Sequence, residues 1–75
     1  MKHRDRIVID PKIMVGKPVV AGTRIPVDLI LEKLAQNMDT EALFRDYPRL
    51  TKQDIQAVLR YARDLITNED VYPAA

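Results

Sequence analysis

A chain of 75 residues holds one domain and one core, since domains usually run to about 100–200 residues, and one this short commonly leans on a disulfide, a metal or a partner. It has no cysteine and a single histidine, His3, which excludes a disulfide or a thiolate zinc site and leaves no histidine metal site, so oligomerisation or a protein partner remains. The net charge of +1 is too small to announce nucleic-acid binding, and the charged stretch MKHRDRIVIDP lacks the apolar run of a signal peptide while no later run approaches about 18 apolar residues, so the expectation is a cytoplasmic protein without a membrane segment.

In chain order, Ile7, Val8 and Ile9 are a β-branched run closed by Asp10-Pro11 and read as a strand, because proline bars a continuing ladder bond. Gly16-Lys17-Pro18 leads into a second apolar run, Val19-Val20-Ala21, which Gly22-Thr23 ends. Two strands so short gain little within one chain and leave open edges, so Ile7–Ile9 and Val19–Ala21 are expected to pair between chains in a homodimer. From Pro26 the apolar period becomes helical: Val27, Ile30, Leu31, Leu34 and Ala35 form one stripe over Pro26 to Gln36. Asn37 is expected to end that helix in the left-handed conformation. Asp39 caps a second helix over Thr40 to Asp46, with Leu43 and Phe44 turned inward and Tyr47 close by, and Pro48 stops it. Thr51 followed by Asp54 is a capping box with a shortened acid. It opens a third helix with Ile55, Val58, Leu59, Ala62, Leu65 and Ile66 at helical spacing. The tail, Thr67 to Ala75, has little pattern.

Charge is uneven along these elements. Residues 1–24 carry Lys2, Arg4, Arg6, Lys12, Lys17 and Arg24 against Asp5 and Asp10, for a net +4, whereas residues 25–46 are net −3. A basic arm thus precedes an acidic middle, which suits ion pairing within one chain, between two chains, or with phosphate.

Helix, corner and longer helix in that order match a helix-turn-helix, in which the second helix enters the major groove. Any small three-helix bundle shows the same order, so the side chains off the apolar face carry the distinction. Arg49, Lys52, Gln53, Gln56 and Arg60 are of the kinds that pair with guanine and adenine edges or reach phosphate; the plainer reading is a solvated surface in which Arg60 pairs with Asp64. Met14, Met38 and Leu50 read as core filler or subunit contact, and His3 as a solvated arm residue. Asp10 starts a turn, and Asp28 sits at the positive end of the first helix. No nucleophile has a neighbouring base, and neither GxxxxGK[ST] nor GxGxxG occurs, so neither an enzyme nor a cofactor is expected.

The front of the chain has the densest backbone constraints: Asp10-Pro11, Gly16-Lys17-Pro18, Gly22-Thr23-Arg24 and Pro26-Val27. Gly22 permits a tight turn from which Arg24 aims its rigid fork of donors, and Arg24 is expected to anchor the arm to the first helix or to a carboxylate such as Asp28 or Glu32. These residues, IVIDPKIMVGKPVVAGTRIPVDLILEKL, with DYPRLTKQDIQAVLRYA further on, resemble the bacterial and archaeal DUF433 family over about residues 7 to 66. The resemblance implies a three-helical, homeodomain-like helix-turn-helix preceded by short strands. It also implies an antitoxin-like protein, often encoded beside a PIN-like ribonuclease toxin of the DUF5615 kind, and it carries over no catalytic residue. Asn37 stands where relatives more often have glycine.

The resulting expectation is a mainly α fold: an extended arm with two short strands over 1–24, a helix-turn-helix domain over 25–66 and a tail over 67–75. The function expected is that of a DNA-binding regulator that neutralises a PIN-like toxin and binds its own promoter. The alternative is a protein-interaction module without DNA binding. Double-stranded DNA would meet Arg49, Lys52, Gln53, Gln56 and Arg60, while Ile7, Val8, Ile9, Val19, Val20 and Arg24 would make the arm or dimer contact.

Overall fold

A computed structural model of the chain describes residues 2–4 and 6–68, with the side chains of residues 6–67. Three strands come first, β1 (Lys2–Arg4), β2 (Ile7–Ile9) and β3 (Pro18–Val20), and three helices follow, α1 (Val27–Gln36), α2 (Thr40–Asp46) and α3 (Lys52–Asn68). The strands form one antiparallel sheet in the order β1-β2-β3. Ile7 lies opposite Val20, Val8 opposite Val19 and Ile9 opposite Pro18, so the proline falls at the first residue of its strand, where a missing donor is tolerated.

Pairing of Ile7–Ile9 with Val19–Val20 therefore takes place within one chain, which corrects the expectation that these runs pair between chains. Two features supply what a lone hairpin lacks. A third strand, Lys2–Arg4, adds to β2, and the helices cover one face: Ile7 and Val20 share a core with Val27, Ile30, Leu43, Leu50, Ile55, Ala57 and Val58. Val8 and Val19 are buried as well, outside that cluster, and Ile9 is half-buried. The strands of the arm are thus part of the fold's interior, and Ile7, Val8, Val19 and Val20 are already buried within the chain.

The outer edge of β3 is not open along its length. After the turn at Gly22 (φ +78°) the chain doubles back, so that the Val20 amide donates to the Ile25 carbonyl at 3.1 Å and Val19 bridges to Pro26. Thr23 fastens this turn. Its hydroxyl donates to the Val20 carbonyl at 2.7 Å and accepts from the Ile25 amide at 3.0 Å.

Asp10 starts a turn as its residue type suggests, accepting from the Lys12 amide at 2.9 Å. The chain then makes a left-handed turn over Met14, Val15 and Gly16, with φ values of 51°, 57° and 82°. Glycine adopts this region freely, whereas a β-branched valine there is a conformational outlier costing about 1–2 kcal/mol.

Helix α1 begins one residue after Pro26, which occupies the cap position in an extended conformation. Asn37 ends it at φ −154°, extended and not left-handed as expected; its side chain instead accepts from the Asp39 amide at 3.0 Å and leads into the next cap. Asp39 in turn accepts from the Glu41 amide at 3.0 Å to start α2. α3 runs through Asn68, past the boundary expected at residue 66; the Thr67 hydroxyl bonds back to the Arg63 carbonyl at 3.0 Å. The expected tail beyond residue 68, like the side chain of His3, lies outside the described residues. No helix among the described residues is long and apolar enough to cross a membrane.

Candidate nucleic-acid interface

The corner between α2 and α3 is built from local bonds. The Tyr47 amide closes α2 on the Leu43 carbonyl at 2.9 Å, and the Leu50 amide donates to the Tyr47 carbonyl at 2.9 Å, which turns the chain across Pro48 and Arg49. Leu50 is buried and holds the corner to the core. The start of α3 is a reciprocal capping box: the Thr51 amide donates to Asp54 Oδ2 at 3.0 Å, and the Asp54 amide donates to Thr51 Oγ1 at 3.1 Å. Two donors that a helix N-terminus leaves over are thereby satisfied.

A third partner joins there from the far end of the chain. Arg6 Nη1 donates to Asp54 Oδ1 at 3.2 Å, so the buried carboxylate is bonded on both oxygens and no buried side-chain polar atom among the described residues lacks a partner. This contact fastens the β1–β2 turn to the first turn of α3. Sequence reasoning did not single out Arg6, because 48 positions separate the two residues.

Arg49, Lys52, Gln53, Gln56 and Arg60 are all exposed. At about 100° per residue, Gln53, Gln56 and Arg60 fall on one side of α3 with Lys52 beside them. The opposite side carries Asp54, Ile55, Ala57 and Val58, all buried. Arg49 and Lys52 make no ion pair among the described residues. Arg60 already has a partner within the molecule, and Arg63 is held by Asp64 at 2.9 Å. Free positive charge on this side is therefore concentrated at the corner and first turn of α3.

The arm residues are placed differently from expectation. Arg24 is exposed and has no ion pair among the described residues, which corrects the expected pairing with Asp28 or Glu32. Lys17 takes Asp28, at 3.4 Å, and Arg6 takes Asp54, so the basic arm and the rest of the chain complement each other internally. Of the three residues read as core filler or subunit contact, Leu50 is core, while Met14 and Met38 are exposed. Among the described residues no group of three or more His, Cys, Asp or Glu gathers at metal-binding distance.

On the other side of α3 from Gln56, a groove of about 210 Å³ is lined by Lys17, Pro18, Val27, Asp28, Leu31, Tyr61, Ala62 and Leu65. Its walls are β3, α1 and α3, and its lining is mostly apolar.

A family model described as "Protein of unknown function (DUF433)" matches residues 7–62. A relative from Archaeoglobus fulgidus, described as an uncharacterized protein, is 71% identical over 24 residues, covering 32% of this chain and 67% of its own length. Among solved structures, the crystal structure of a DUF433 member from Anabaena variabilis superposes with a TM-score of 0.77 at 28% identity, over 85% of this chain. This chain spans 63% of the length of that protein.

Proposed function

The chain belongs to the DUF433 family, and from that premise we propose that it is an antitoxin-like regulator that binds double-stranded DNA through the exposed side of α3. The observation that carries the reading is the separation of that helix into two sides. Arg49, Lys52, Gln53, Gln56 and Arg60 all face solvent, while Asp54, Ile55, Ala57 and Val58 on the other side are buried, as a recognition helix requires. Arg49 and Lys52 would clamp phosphates, and Gln53 and Gln56 would read base edges. The work is binding without catalysis, carried out in the cytoplasm on the protein's own promoter.

A second reading, a protein-interaction module, is favoured by one observation, the apolar groove between β3, α1 and α3. The two readings are compatible, since the groove lies away from the α3 face proposed for DNA. A PIN-like ribonuclease toxin is the partner that the family resemblance suggests, and under the second reading the module neutralises that toxin or pairs two copies of the chain.

The test is the salt dependence of binding to the native promoter fragment, read by fluorescence anisotropy with and without the cognate toxin. If Arg49 and Lys52 of two chains each neutralise one phosphate, log affinity falls against log salt with a slope of about −3.6. Absence of salt-sensitive binding at about 50 mM salt, in both conditions, would refute DNA binding and leave the interaction module.

A further inference from the structure

Two apolar features that the core does not use lie close together in the chain. One is the left-handed turn at Met14–Gly16. Val15 is 96% exposed at φ 57° and Met14 is 40% exposed. A β-branched side chain is thus held in a disfavoured conformation and pointed into water, a combination that neither packing nor backbone preference within the chain explains. The other is the groove of about 210 Å³, whose rim residues Lys17 and Pro18 follow the turn directly in sequence. Since Val15 is almost wholly exposed, the turn does not fill its own chain's groove.

Size and charge match the one to the other. A cavity of about 150 Å³ takes a benzene-sized apolar group, so the groove has room for a valine side chain with part of its neighbour. Lys12 and Lys17 flank the turn in sequence. The groove's α1 wall carries Asp28, with Glu32 one helical turn further on. Lys12 and Glu32 are both exposed and have no ion pair among the described residues. The Lys17–Asp28 pair, at 3.4 Å, is exposed at both ends and free to exchange partners.

We propose that two copies of this chain pair about a two-fold axis, each seating its Met14–Val15 turn in the other's groove between β3, α1 and α3. A surface patch that carries both a knob and a matching groove is self-complementary, which a two-fold interface requires. The reciprocal arrangement closes at two chains and brings the lysines flanking each turn to the Asp28–Glu32 edge of the other copy. It leaves the outward side of α3 clear. The inference goes beyond the DNA reading, and DNA has no part in its test.

Sedimentation velocity on the full chain, from about 1 to 100 µM, should show the dimer. Val15→Asp breaks the knob and Leu65→Lys, at a half-exposed groove residue, breaks the groove. Each should weaken self-association about a hundredfold, since two contacts at about tenfold each are lost. An equimolar mixture of the two variants should recover a heterodimer about tenfold weaker than wild type, because one intact knob then meets one intact groove. Val15→Gly should raise the melting temperature, read at a concentration where the chain is monomeric, while weakening association, opposite signs that a folding defect does not produce. A wild-type chain that stays monomeric at the highest concentration, assembles beyond two chains, or keeps its association unchanged in Val15→Asp overturns the proposal. So does a mixture that fails to recover.

Discussion

Replacing Arg6 by alanine removes the only tie between the β1–β2 turn and α3 that is carried by charge among the described residues. The guanidinium is 48% exposed and the Asp54 carboxylate 8%, so the pair lies between the exposed case, worth about 0–1 kcal/mol, and the buried one, where breaking costs about 3–5 kcal/mol. A single bond of 3.2 Å without a second prong places it toward the lower end, and Arg6→Ala should cost about 1 kcal/mol, discounted for solvent screening. For a domain of this size that corresponds to about 4–8 °C in melting temperature. Asp54→Asn keeps an acceptor for the Thr51 amide and removes the charge, so in that background Arg6→Ala should cost almost nothing. Asp54→Ala strips the cap as well and should cost about 2–3 kcal/mol in all. Urea unfolding of wild type, both single variants Arg6→Ala and Asp54→Asn, and the double variant yields the coupling directly. If Arg6→Ala costs the same in both backgrounds, to within about 0.3 kcal/mol, the contact carries no stability and the reasoning fails.

Gly22→Ala tests the turn that folds the chain back along β3: an added Cβ meets nothing within 4 Å, so the expected loss of about 1–2 kcal/mol is conformational alone, and an unchanged unfolding midpoint would contradict the φ of +78°. Arg24→Ala should leave stability within about 0.5 kcal/mol of wild type, because the side chain is exposed and has no ion pair among the described residues; a larger loss in thermal melts would restore it as an anchor. On promoter DNA, Gln56→Ala should relax preference at one base position, at about 1–3 kcal/mol, whereas Lys52→Ala should weaken all sequences alike and flatten the salt slope by about 1 per contact. Anisotropy titrations on a panel of mutated operators separate the two, and identical profiles would remove the division into base reader and phosphate clamp.

Helix limits were legible in the sequence where a local signal sets them. Asp39, Pro48 and the Thr51–Asp54 box act within four residues, and the structure starts and stops α2 and starts α3 where they predict. Asn37 shows the boundary of such reasoning. Its side chain found an acceptor role toward Asp39, so the left-handed backbone that its residue type tolerates was not needed. Strand pairing was less legible. Lys2–Arg4 has no β-branched residue and pairs only because β2 offers an edge, and whether Ile7 meets Val20 of its own chain depends on helices that come later. At the candidate interface the exposed side of α3 followed from periodicity, whereas the Arg6–Asp54 contact and the left-handed Met14–Val15 turn have no signature in neighbouring residues. The first depends on tertiary approach and the second runs against residue preference.

The shared core also governs when this chain can fold during synthesis. Ile7 is buried against a cluster that includes Val58, so β2 has no complete burial site until a residue 51 positions later has been made. At about 5–20 residues per second the interval is roughly 3–10 s. During it the Ile7–Ile9 and Val19–Val20 runs are exposed to pairing with neighbouring nascent chains on the same message. Slow elongation over α3 would therefore favour aggregation, and faster elongation there would raise soluble yield.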